Sequence, residues 1–160
     1  MSFQGVAPIR FGTTSMVTQT RGPNDPEVGT RTVEDGRNYL FIYNTGNSNA
    51  AVGMGMVPGT AATGHSCTIT SVTSADIVVG VVRHATISTG GYGWLCTRGV
   101  TDVRMAAASS TVAERGLLEI GAAGLFVPVS NTTGNKAPAV GIALAEIVTG
   151  ALGSAYISIF

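Results

Sequence analysis

Charge is what this sequence has least of. Asp, Glu, Lys and Arg together make up 11% of its 160 residues, against about 25% in an ordinary soluble domain. Lys136 is the only lysine, and from Asn38 to Val82 the only ionic side chain is Asp76. Net charge is zero, and the basic residues stand singly from Arg10 to Arg115. Without a basic stripe, neither nucleic acid nor an anionic membrane surface is expected as a partner. A monomer of this size needs more charge to stay dispersed. Much of the surface is therefore expected to face other subunits, since interface cores are depleted of charge.

An apolar leader is missing too. The opening residues MSFQGVAPIRFG contain no h-region, so secretion is not expected and Cys67 and Cys96 are read as reduced thiols. One apolar run is long enough to span a bilayer: APAVGIALAEIVTGALGSAYISIF holds 24 residues and one charge. Glu146 near its middle, with Gly141, Gly150 and Gly153, argues against a span.

Chemistry-bearing patterns are absent as well. Gly59–Ser66, GTAATGHS, has phosphate-loop spacing but places His65 where lysine belongs, and a strand follows where a helix is required. GMGMVPG misses dinucleotide-binding spacing and reads as a loop whose Met54 and Met56 cover a neighbouring apolar surface. His65, Cys67, His84 and Cys96 lie in separate segments without paired metal-ligand spacing. Glu114, Glu119 and Glu146 form no pair at a defined distance. No catalytic residue, cofactor or metal is expected, and the chain reads as a non-enzyme.

What is present is a series of short strands. RGPNDPEVG closes a proline-punctuated N-terminal arm, residues 1–27, with a leading strand over Thr13 to Thr20 as an alternative. The arm's Phe3, Val6, Ile9 and Phe11 suit contact with another subunit. Residues 28–160 read as a single β-domain. Asp35-Gly36 signals a hairpin, because a type I′ turn needs positive φ at both central residues. Tyr39, Phe41 and Tyr43 then alternate with Leu40 and Ile42, giving a strand apolar on both faces. CTITSVT, DIVVGVV, YGWLCTRGVTDVRM, LFVPVS, VGIALAEI and AYISIF follow as strands, with Pro128 marking an edge. Thr111 and Glu114 allow a capping box and one helical turn before Gly116.

The fold expected is all-β, a small barrel or sandwich. VVGVVRHATISTGGYGWLCTRG is echoed by AVGIALAEIVTGALGSAYISIF, with Gly80 answering Gly141 and Trp94 answering Tyr156 with one residue's slip. The echo fits two similar hairpins on opposite sides of one barrel. Tyr92 and Trp94 are read as core or inter-subunit anchors, with carbohydrate stacking as the functional alternative.

GTRTVEDGRNYLFI, VVGVVRHATISTGGYGWLCTRG, ERGLLEIGAAGLFV and AVGIALAEI resemble small capsid decoration (cement) proteins of tailed bacteriophages, over residues 28–160. The resemblance implies a compact, usually trimeric β-domain seated on the virion where capsomers meet, with the major capsid protein and itself as partners. Assembly in the host cytoplasm would follow. The alternative is a fibre, tail or receptor-binding module, although no coiled-coil heptads or shaft repeats are visible.

Overall fold

In the computed structural model the described residues are 17–23, 25–59, 65–69, 77–129 and 139–159. Strands β1 (Arg31–Glu34), β2 (Arg37–Asn44), β3 (Gly55–Pro58), β4 (Ser66–Thr68) and β5 (Gly80–Val82) come first. They are followed by β6 (Tyr92–Arg104), β7 (Leu117–Ile120), β8 (Phe126–Pro128), β9 (Gly141–Ala143) and β10 (Leu152–Ser158). The fold is all-β, and its one helical piece among the described residues is a 3-10 turn at Ala122–Gly124.

The strands pair into two successive rings. In the first, β2 pairs with β4, β4 with β3, β3 with β5, β5 with β6, and β6 returns to β2. All of these contacts are antiparallel except β2–β4. In the second, β6 pairs with β10, β10 with β9, β9 with β7 and β7 with β8. That ring closes through a parallel bridge from Met105, just past β6, to Phe126 of β8. The thirteen residues of β6 thus serve both rings, the N-terminal half in one and the C-terminal half in the other. Closing a sheet on itself removes exposed edges.

The rings repeat one another in hydrogen bonding as well as strand order. Ala50 exchanges both backbone hydrogen bonds with Ile87, and Val112 does the same with Ile147. Thr45 donates to Cys67 at 2.9 Å, and Ala106 donates to Phe126 at 2.9 Å. Gly90 (φ +71°) and Gly150 (φ +73°) turn the chain into β6 and β10. The echoed hairpins therefore belong to equivalent places in two fused rings, not to opposite sides of one barrel. Their alignment also shifts. Val81 faces Cys96 and Ile142 faces Tyr156, so Tyr156 answers Cys96, and Ser154 answers Trp94. The second connection, from Ala143 to Gly150, is one residue shorter than the first, from Val82 to Gly90.

Each ring is filled by its inward residues. Leu40, Ile42, Met56, Cys67, Val82, Ile87 and Leu95 fill the first. Val103, Met105, Leu118, Phe126, Ala143 and Ile157 fill the second, joined by Val57, Val78 and Val81 from the outer wall of the first. The rings meet at that wall. A methyl group added at Gly55 would lie 2.8 Å from Ile120 Cδ1 and 3.1 Å from Phe126 Cζ. Only a residue without a side chain lets the walls approach this closely.

Several local expectations hold. Asp35 (φ 50°) and Gly36 (φ 72°) form the β1–β2 hairpin turn, and β8, with Pro128, ends the strand order. The C-terminal apolar run forms β9 and β10. The helical turn after Thr111 is absent, because Val112 commits its N–H and C=O to Ile147 and Arg115 takes φ 64°. GMGMVPG is not a loop throughout: Gly55 and Met56 pair with Val81 and Gly80, making β3.

Candidate interaction surface

Period-two alternation in β2 and β6 points one set of side chains inward and the other outward. The outward set of the first ring is aromatic. Phe41 and Trp94 face each other across the β2–β6 pairing with ring centroids 5.1 Å apart, and Tyr43 and Tyr92 do so at 4.8 Å. Such tilted pairs add about 0.5–1.5 kcal/mol each beyond the area they bury. Trp94 and Phe41 are buried, as are Tyr39 and Cys96 beside them. Arg83 Nη1 donates to Tyr39 Oη at 3.0 Å, and His84 stacks on the Tyr39 ring at 5.9 Å. Burial, reinforced by the Arg83 charge, pushes His84 below its usual pKa.

This geometry sorts the residues singled out from sequence. Met56 is fully buried inside the first ring, and Met54 is half-buried against the same core. Trp94 is an anchor of the chain's own packing, and Tyr92 is half-buried against it. Met56 and Trp94 are both buried, within the packing of the first ring and its outer aromatic face. Phe3, Val6, Ile9 and Phe11 lie outside the described residues. From the arm's end, Thr18 exchanges backbone hydrogen bonds with Tyr92, and Gly29 and Thr30 continue the β1–β2 ladder to Phe41.

Both cysteines are free and buried. Burial pushes the Cys67 thiol up to about 12 and raises Cys96 as well, the opposite of what a nucleophile or metal ligand requires. Among the described residues no three His, Cys, Asp or Glu side chains gather as metal ligands would. The Arg115–Glu114 ion pair, at 3.7 Å, is well exposed and contributes little.

A surface that sequence reasoning missed lies on the second ring. Leu117 of β7 faces Ile142 of β9, Ile142 faces Tyr156 of β10, and Tyr156 faces Val100 of β6. These directly paired residues form one apolar row across four strands, exposed by 48%, 42%, 37% and 38% in that order. A concavity of about 240 Å³ lies among Leu117, Ile142 and Tyr156. Leu144, Val148 and Leu152 nearby in the chain are exposed as well. The strands were legible, but which of their two apolar faces the fold leaves open depends on how the rings stack.

No protein-family model matches the chain, and no curated protein matches it. Its fold is shared with a solved structure, the N base of the head fibre gp8.5 of bacteriophage phi29. The two superpose with a TM-score of 0.53 at 17% sequence identity, over 75% of this chain and 94% of that one. The likeness is one of fold: the chain has the architecture of a bacteriophage head-fibre base.

Proposed function

We propose that the chain is a structural protein of the bacteriophage head, without enzymatic activity. In the finer reading it is a decoration, or cement, protein on the outer capsid surface. There it contacts the major capsid protein and stabilises the junctions between capsomers as a homotrimer. The observation that carries this reading is the fold shared with a phage head-fibre base across almost all of that neighbour. The resemblance of residues 28–160 to decoration proteins arises separately, from sequence. Sparse charge and an exposed apolar row suit a protein whose surface is meant to be covered. Its mechanism is additive burial: one modest interface per copy, multiplied by the symmetry of the shell.

The head-fibre neighbour also favours a second reading, that the chain is a trimeric fibre or receptor-binding module rooted on the head. Co-sedimentation with undecorated capsids followed by electron microscopy separates the two. Compact density repeated where capsomers meet supports decoration, and projecting density at sparse sites supports a fibre. A chain that stays in the supernatant at micromolar concentration sinks both.

A further inference from the structure

The two rings are copies of one pattern, yet the same wall is covered in one and bare in the other. In the first ring the row equivalent to Leu117–Ile142–Tyr156–Val100 is Gly55–Val81–Cys96–Tyr39, joined by the same pairings. All four of those residues are buried. Gly55 and Val81 are covered by the second ring, which packs Ile120 and Phe126 on them. In the second ring no described element covers the matching wall. Among the described residues nine large apolar side chains stand exposed; seven of them fall between Val100 and Tyr156, and the other two are Val33 and Ile77.

We propose that the Leu117–Ile142–Tyr156–Val100 row is the self-association surface, covered by a second copy of this chain as the first ring's wall is covered by the second ring. Ile120 and Phe126, which cover the first ring's wall, are buried in every copy, whereas Leu117, Ile142, Tyr156 and Val100 stand open in every copy, so a second copy brings exposed apolar surface of the same kind. Charge agrees with this occupant. The chain is neutral overall, so copies do not repel. Opposite ends of the row carry opposite signs, Glu119 beside Leu117 on β7 and Arg98 beside Val100 on β6. Arg98 Nε donates to Tyr156 Oη at 3.3 Å, which holds its charge beside the row, while Asp102 and Arg104, also on β6, are engaged by Ser154 Oγ and the Val52 carbonyl. The inference rests on the oligomeric part of the proposed function and not on capsid attachment.

Native mass spectrometry and light scattering of the full chain test it, with Ile142→Glu as the variant and Val33→Glu, on β1 outside both rings, as the control. The expected result is an oligomer for the wild type and Val33→Glu, and at least a tenfold weaker association for Ile142→Glu. Circular dichroism checks that the variant folds. If it does not, Ile142→Thr, which keeps β-branching, is read instead and is expected to weaken association in the same direction. Oligomers of equal strength in wild type and variant would overturn the surface assignment while leaving the oligomeric reading intact. A monomeric wild type at tens of micromolar would overturn both. Loss of association on removing residues 2–16, with Ile142→Glu without effect, would mean that the N-terminal segment and not this row joins the copies.

Discussion

Asn44 and Met105 occupy the same point in the two rings, each at the parallel contact that closes its ring: Asn44 aligns with Cys67, and Met105 with Phe126. One position is solved with polar chemistry and the other with packing. Buried Asn44 shares its Nδ2 among the carbonyls of Ser48, Ile87 and Ser88 at 3.1, 3.1 and 3.2 Å, and its Oδ1 accepts from the Gly46 N–H at 3.0 Å. Met105 is equally buried within the apolar core of the second ring.

Asn44→Ala is therefore expected to be among the more costly polar substitutions in the chain. It leaves the buried Gly46 N–H without its side-chain acceptor and takes the amide donor from the Ser48, Ile87 and Ser88 carbonyls, the last two of which keep a backbone donor, a loss of about 2–3 kcal/mol. Urea denaturation followed by circular dichroism measures it, and a loss below 0.5 kcal/mol would remove the amide from the account of ring closure.

The contact between the rings is tested at Gly55. Gly55→Ala pushes a methyl group toward Ile120 Cδ1 and Phe126, and overpacking of this kind costs about 1–3 kcal/mol. The melting temperature should fall by several degrees in one transition, as both rings share β6. Two separated transitions would show that the rings unfold independently.

Cys67 makes the chain sensitive to alkali. Its thiol is raised from the usual 9.0 to about 12 by burial, so the folded state keeps a proton that the unfolded state releases. The associated stability is whole below about pH 9 and is lost as pH rises toward 12, with roughly 1 kcal/mol gone by pH 10. Cys67→Ala costs about 1–2 kcal/mol at neutral pH through lost packing, and it should flatten the decline between pH 8.5 and 10.5. An unchanged slope in the variant would assign the alkaline loss to other groups.

Truncation tests the N-terminal residues in two steps. Deleting residues 2–16 should leave the β signal and the melting temperature nearly unchanged while weakening co-sedimentation with capsids. Extending the deletion to residue 27 also removes the Thr18–Tyr92 pairing and should lower the melting temperature. Equal stability of the two truncations would show that this pairing contributes nothing.

The strands were legible because period-two alternation and turn chemistry are local. RNYLFIYN and YGWLCTRGVTDVR are strands on any reading, and Asp35-Gly36 names its own turn. The closures were not legible. β2–β4 and Met105–Phe126 join segments distant in the chain through one or two residue pairs, too few to leave a pattern. The duplication showed only in its second half, because Phe41 of β2 has Asp102 as its counterpart in β6 and the aromatic face did not repeat. Trp94 reads from sequence as a core or an inter-subunit anchor, and Met56 as the cover of an apolar surface, because sequence alone does not say which apolar residues their own chain buries. The exposed row escaped for the converse reason.

β6 runs as one strand from the first ring into the second, bulged where Thr97 is skipped by β2 and Gly99 takes φ +115°. A force that draws the rings apart is carried by a covalent strand, and the ladders to β2 and β10 on that strand are loaded in shear, many rungs together rather than one at a time. The chain behaves as a tie-bar under tension instead of two beads on a string.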